Sequence, residues 1–125
     1  MRHFSTVVTA VSPEARELIA GGVLILFAEG APPELAEVSV LHRITMPPAA
    51  EAPAAGATLR FAGVATRLSA IGDKAWSKIS DIGHVVINFN GAATAPRPGE
   101  ICAEPVDLAA LADALVPGAV IVIDA

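Results

Sequence analysis

Residues 23–46 read VLILFAEGAPPELAEVSVLHRITM and carry two strand-like runs that largely decide the fold. The first run, VLILFA at 23–28, is apolar on both faces, which is typical of a strand that is covered on both sides. The second run, VSVLHRITM at 38–46, predicts another strand. Strands this apolar would leave adhesive edges in an open sheet, so the pattern favours a sheet that closes on itself.

The same pattern of short apolar runs continues on both sides of this segment. Residues 5–11 alternate as a first strand, and Ser12 followed by Pro13 predicts the start of a short helix. Further strands are predicted in TLRFAG (58–63), VATRLSAIG (64–72), HVVINFNG (84–91), EICAEP (100–105) and AVIVID (119–124). Short helices or wide turns are predicted in DKAWSKISDIG (73–83) and LAALADAL (108–115).

These runs predict an all-β fold, a small closed β-barrel of about six to seven short strands with two or three short helical segments. The length of 125 residues predicts a single domain over 1–125, since it supports one modest core. A βαβ arrangement is less favoured because the helical segments are too short to cover a parallel sheet.

Composition and charge narrow the possible functions. The formal charge is −5 and no lysine patch is present, which argues against binding to nucleic acid. The only cysteine, Cys102, cannot form an internal disulfide, and its apolar flanks indicate a core residue. No apolar run approaches the roughly 20 residues that span a bilayer, and the N-terminal residues do not resemble a signal peptide. We therefore expect a soluble cytoplasmic protein without direct membrane insertion.

The candidate functional residues are histidines. His3, His42 and His84 match no zinc-binding spacing, and no cysteine pair accompanies them. Phosphate loops, dinucleotide-binding turns and serine nucleophile elbows are also missing from the sequence.

His42 is the most informative of the three. By alternation its ring shares a face with Val40 and Ile44, while Arg43 points to the other side as a solvated strand residue. A lone histidine on an apolar face is commonly a core residue that is hydrogen-bonded through one nitrogen. A ring in a shallow apolar surface, with one nitrogen held and the other open, would instead be a nucleophile at neutral pH. Both interpretations stay open on these grounds.

Three blocks of the chain resemble one family in register. ILFAEGAPPELAEVSVLHRI (25–44), IGHVVINFNG (82–91) and PGAVIVID (117–124) are similar to segments of the glucitol/sorbitol-specific enzyme IIA component of the bacterial phosphotransferase system (PTS). The spacing from EGAP to the histidine is the specific part of this resemblance. Several family members carry a further histidine where this chain has Ile44.

The resemblance implies a small β-barrel that acts as a soluble phosphocarrier. Such a protein accepts a phosphoryl group from the phosphocarrier protein HPr and passes it to the IIB domain of a sorbitol (polyol) permease, whose IIC component is in the membrane. His42 aligns with the phosphorylated histidine of the family, and the resemblance implies that the phosphoryl group is carried on Nε2. His84 is the first candidate to stabilise the phosphoryl group. Backbone N–H groups near Gly30 or Gly83 are the second. No cofactor or metal is implied.

Two other interpretations remain open. The chain could be a non-catalytic regulatory or ligand-binding barrel of the same fold, in which His42 is structural. A third option, an enzyme that acts on a small ligand inside the barrel, lacks an acid–base constellation in the sequence. For the carrier, the partners are expected to dock over an apolar patch near His42 that includes Val40, Met46 and Phe27.

Overall fold

A computed structural model describes residues 1–125 and shows eight strands and four short helices. In chain order these are β1 (Arg2–Val11), α1 (Pro13–Ala20), β2 (Val23–Ala28), α2 (Pro33–Ala36), β3 (Val40–Met46), β4 (Thr58–Phe61), β5 (Val64–Ile71), α3 (Ala75–Ile82), β6 (Val85–Asn88), β7 (Glu100–Ala103), α4 (Leu108–Ala114) and β8 (Val120–Asp124).

The strands form one closed barrel in the order β1-β3-β2-β6-β7-β5-β4-β8, and β8 pairs with β1 to complete the circle. The β2–β3 and β6–β7 pairs are parallel, and the other six are antiparallel. Every strand therefore has two neighbours, which leaves no edge for unwanted pairing and accounts for the apolar character of the strands. The predicted all-β closed barrel is confirmed.

The element count differs slightly from the prediction of six to seven strands and two or three helical segments. Strand β7 has only four residues and all four are buried, so its sequence shows no alternation between two faces. Helix α2 is a single turn of four residues that begins at Pro33, the second of two adjacent prolines. Each of the apolar runs that predict strands, including residues 100–105, forms a separate strand, so the expected total of six to seven strands was too low.

The predicted start of α1 is confirmed. The Ser12 hydroxyl accepts a hydrogen bond from the Ala15 amide at 3.0 Å, and Pro13 occupies the first helical position. None of the four helices has the length and hydropathy needed to cross a lipid bilayer.

The register around β3 places His42 in the barrel wall. Val8 of β1 lies opposite His42 on one side, and Ala28 of β2 lies opposite it on the other. Thr6 pairs with Ile44, so Thr6 is a diagonal neighbour of His42 on the same face of the sheet. The face is the barrel interior, where Thr6, Val8 and His42 are all buried.

Helix α3 ends at Gly83 in a way that only glycine allows. Gly83 has a φ of 65°, and a Cβ atom there would lie 2.8 Å from the Ala28 Cβ. The helix end can therefore approach β2 closely, and this approach brings the Gly83 backbone over the His42 ring.

Candidate functional site

His42 is buried, with 1% of its surface exposed, and both ring nitrogens have hydrogen-bond partners. Nδ1 lies 2.6 Å from the Thr6 Oγ1, and Nε2 lies 2.6 Å from the Gly83 carbonyl oxygen. The ring also meets Phe4 edge to face, with 6.4 Å between ring centroids.

The partners of His42 determine its tautomer. A carbonyl oxygen only accepts hydrogen bonds, so Nε2 donates to Gly83 and carries the ring proton. In the neutral ring, Nδ1 then accepts from the Thr6 hydroxyl. Burial lowers the pKa of His42, while the bond to the Gly83 carbonyl and the charge of Glu29 oppose this effect. The folded protein therefore holds His42 as a neutral Nε2–H imidazole.

This environment differs from the one that a nucleophilic His42 requires. Such a ring lies in a shallow surface with one nitrogen open, whereas in this structure the ring is buried and neither nitrogen is free. The physical reason is Gly83, whose carbonyl closes over the ring from a segment 41 residues further along the chain. In this closed form His42 has the environment of a satisfied core histidine.

His84 has the opposite arrangement. Its Nδ1 lies 3.0 Å from the Leu26 carbonyl oxygen and must donate to it, so in the neutral ring the lone pair is on Nε2. The ring stacks on Phe27 with 4.9 Å between centroids and a 33° tilt. Nε2 has no hydrogen-bond partner and is not a fully buried atom, and His84 lines a surface cleft.

The cleft beside His84 is rich in cationic side chains. It has a volume of about 350 Å³ and is lined by His84, Lys74, Lys78, Val86, Arg97, Pro98, Gly99 and Glu100. Arg97 Nη1 lies 3.1 Å from Glu100 Oε2, and the other Glu100 oxygen accepts from Asn88. Lys74 and Lys78 have no carboxylate partner, so the cleft carries two uncompensated positive charges.

Sequence reasoning missed these three cations as site residues. Lys74 and Lys78 are four residues apart at the start of α3, a spacing that places both on one helix face and could have been noticed. Arg97 comes from a proline-rich loop with no regular pattern, so nothing in the sequence indicates its position.

The two histidines are held by the same peptide group. His42 Nε2 donates to the Gly83 carbonyl, and the amide of that same Gly83–His84 peptide donates to the Lys78 carbonyl oxygen at 3.4 Å. His42 therefore anchors the peptide that carries His84 to the barrel wall.

Several other sequence-based interpretations can be compared with the structure. Arg43 is 64% exposed and its guanidinium lies 3.8 Å from Glu29, in agreement with a solvated strand residue. Cys102 is buried as predicted, and burial raises the pKa of its thiol. Backbone N–H groups near Gly83 were suggested as phosphoryl donors, and in this structure the Gly83 amide itself donates to the Ile79 carbonyl oxygen at 3.0 Å. No group of three or more His, Cys, Asp or Glu side chains is arranged to hold a metal ion.

The fold and the site define a small closed β-barrel protein with two imidazoles at one peptide: the His42 ring donates to the Gly83 carbonyl, and His84 is the next residue. The family model for the PTS system glucitol/sorbitol-specific IIA component matches residues 3–121, and the chain belongs to that family.

Two known proteins illustrate the relationship. A PTS system glucitol/sorbitol-specific EIIA component from Shigella flexneri is 29% identical over 119 residues, which cover 94% of this chain and 91% of the relative. The crystal structure of a PTS system IIA component from Enterococcus faecalis is similar with a TM-score of 0.69 at 18% identity, and the match covers 94% of this chain and 96% of that one. The similarity to the Enterococcus faecalis structure supports the fold of this chain.

Proposed function

We propose that this protein is a cytoplasmic phosphocarrier in polyol uptake, with residues 1–125 acting as one IIA domain. It accepts a phosphoryl group from phospho-HPr on a histidine and passes it to the IIB domain of a sorbitol-type permease, which also contains a IIC component. The observation that carries this proposal is the pair of imidazoles at the Gly83–His84 peptide, in a chain that belongs to the IIA family.

The two imidazoles suit phosphoryl transfer chemically. A nitrogen nucleophile must be neutral, and the burial of His42 favours its neutral form. Phosphoryl transfer asks the protein mainly for positioning and for stabilisation of charge on the phosphoryl oxygens. The cations beside His84 can supply that stabilisation, which agrees with the role that the resemblance proposes for His84.

The acceptor proposed from the resemblance is His42, through Nε2. Attack by this nitrogen requires a lone pair, whereas the Gly83 carbonyl holds a proton on it in the closed form. Acceptance at His42 therefore requires an open form, in which the Gly83 carbonyl has moved away. The ring proton would then sit on Nδ1, with the Thr6 hydroxyl as its acceptor.

One observation favours a second candidate function, a regulatory or ligand-binding barrel in which His42 is structural. The ring is buried and both nitrogens are satisfied, as expected for a histidine that stabilises the fold.

Incubation with phosphoenolpyruvate, enzyme I and HPr separates the two functions. The carrier is expected to acquire acid-labile, alkali-stable phosphate that His42→Ala loses, because that ring either accepts the group or holds the peptide of His84. His3→Gln, which leaves both site histidines intact, is the matched control and should be labelled normally. Circular dichroism checks that each variant is folded. An unlabelled wild-type protein contradicts the carrier and supports the regulatory barrel.

A further inference from the structure

We propose that the cleft beside His84 is a binding site for the phosphate monoester of a small hydroxylated compound, whose phosphate is held by Lys74, Lys78 and Arg97. This inference goes beyond the proposed function and does not depend on it, because the ester binds from solution and no phosphoryl group is transferred. The two functions are therefore tested by separate measurements.

The first argument is the concentration of positive charge in this cleft. The chain is acidic overall, with a formal charge of −5, yet both of its lysines line the cleft together with Arg97. Lys74 and Lys78 have no carboxylate partner, and Glu100 compensates only one of the three cations. An anion in solution is therefore attracted to this part of the surface.

The positions of the cations favour a phosphate group over a carboxylate. The Lys78 amide donates to the Lys74 carbonyl oxygen at 3.1 Å, so the two lysines are one helical turn apart and share a face. A Cβ atom on Gly99 would lie 2.9 Å from the Lys78 Nζ, so the ammonium group lies against the Gly99 backbone. Three cationic donors match the three free oxygens and the charge of up to −2 of a phosphate monoester.

The wall of the cleft is held in place by backbone contacts between the loop before β7 and the start of α3. The Pro98 carbonyl oxygen accepts from the Lys74 amide at 2.9 Å, and the Glu100 carbonyl oxygen accepts from the Gly72 amide at 2.8 Å. A Cβ atom on Gly72 would overlap the Pro98 carbonyl group, so only glycine allows the loop to lie this close. The cations are therefore brought together before a ligand binds, which lowers the entropic cost of binding.

The remaining lining residues indicate a hydroxylated ester. Val86 is the only hydrophobic residue among the eight that line the cleft, so a nucleotide base or an acyl chain would find little apolar surface there. The Glu100 carboxylate accepts from Asn88 and from Arg97, and its further lone pairs can accept from ligand hydroxyl groups. His84 can also accept through Nε2 in its neutral form, because its Nδ1 donates to the Leu26 carbonyl.

The size of the cleft agrees with this class of ligand. Its volume of about 350 Å³ lies at the lower end of the range for small-molecule sites, which is about 300–1,000 Å³. A suitable probe is sorbitol 6-phosphate, a six-carbon phosphate monoester with free hydroxyl groups. Sorbitol and inorganic phosphate are the two comparison ligands, because each contains one part of the ester.

Isothermal titration calorimetry of the full chain with these three ligands at low salt tests the proposal. We expect one saturable site for sorbitol 6-phosphate with a Kd of about 1 mM or lower, weaker binding of inorganic phosphate and no binding of sorbitol. Lys78→Ala should weaken binding of the ester about tenfold, the effect of losing one charge-assisted contact. Arg60→Ala is the matched control, because it removes the same charge from an exposed residue on β4 outside the cleft.

Nuclear magnetic resonance of the imidazole nitrogens locates the bound ester. The His84 ring resonances should shift with the same Kd that calorimetry gives, because His84 lines the cleft. The resonances of His3, which is buried on β1 and does not line the cleft, should shift less.

The outcomes are distinct from those of the phosphocarrier experiment. No saturable binding of the ester up to about 10 mM, equal affinities for Lys78→Ala and Arg60→Ala, or unshifted His84 resonances would overturn the site. Inorganic phosphate that binds as tightly as the ester would assign the cleft to the free anion and overturn the ester. None of these results changes the expected labelling by phospho-HPr, so the carrier function is left standing.

Discussion

At the residue scale, the His42 ring is held on both sides, because Nδ1 accepts from the Thr6 hydroxyl and Nε2 donates to the Gly83 carbonyl. Alternation along residues 38–46 predicts the face that carries the ring, and that face is the apolar interior. Alternation cannot predict the bond to Gly83, because the helix end that brings this carbonyl to the ring is distant in sequence. The resemblance points to His84 but not to the cations around it, which come from a helix and a loop. The sequence indicates these two histidines as candidates, but it does not predict the state of their rings.

The lowered pKa of His42 predicts an acid-dependent loss of stability. The folded pKa lies below the ordinary value of 6.5, so the unfolded chain binds more protons at low pH. The contribution of the neutral His42 ring to the free energy of unfolding is complete above pH 6.5. It declines as the pH falls from 6.5 towards the pKa of His42 in the folded protein. Urea unfolding at pH 7.5 and 5.5 should show a larger loss in wild type than in His42→Gln, which has no titrating ring. Equal losses in the two proteins would contradict this coupling.

Thr6 should contribute to stability through its hydrogen bond to His42. Thr6→Val keeps the shape of the side chain but leaves the buried Nδ1 without a partner, at an expected cost of about 1–3 kcal/mol in the free energy of unfolding. Thr6→Ser keeps the hydroxyl and is the matched control. Urea denaturation of both variants measures the difference, and a Val variant as stable as the Ser variant would show that the hydrogen bond adds nothing.

At the scale of elements, sequence patterns predict best where a local rule applies. The Ser12 cap and Pro13 define the start of α1 because both act within one helical turn. Strand β7, within the predicted run 100–105, and helix α2 are too short to show a period, so their bounds could not be predicted from the sequence. The turn at Gly83 lies between these cases, since glycine after a helix predicts its end but not the close contact with Ala28.

Gly83→Ala tests this contact between α3 and β2. The new Cβ would meet the Ala28 Cβ at 2.8 Å in a left-handed conformation, so the free energy of unfolding should fall by about 2 kcal/mol or more. Gly22→Ala, after α1, has a positive φ of 88° and no atom within 4 Å of the new Cβ, so it isolates the conformational cost of about 1 kcal/mol. Thermal and urea unfolding compare the two. Equal losses would mean that the approach of α3 to β2 is not tight.

At the scale of the whole molecule, closure is the property that the sequence predicts most directly. Apolar strands would leave adhesive edges in an open sheet, and the closed barrel gives each of the eight strands a paired neighbour at both edges. The surface is less predictable. Val40 was expected in the docking patch, but it is buried inside the barrel, and Phe27 and Met46 are only partly exposed. The exposed apolar residue next to the site is Ile82, immediately before Gly83.

Ile82 should therefore contribute to docking of phospho-HPr. Ile82 is 47% exposed at the end of α3, immediately before the Gly83 whose carbonyl covers the His42 ring, so a partner that approaches this ring is expected to contact it. Ile82→Asp places a negative charge where a phosphorylated partner approaches, and removes apolar contact area. We expect a fall of about tenfold or more in the second-order rate of labelling, with unfolding free energy almost unchanged.

Val120→Asp is the matched control, because Val120 is 48% exposed on β8, outside the cleft, and this variant should label at the wild-type rate. Equal rates for the two variants would place the docking surface away from the end of α3.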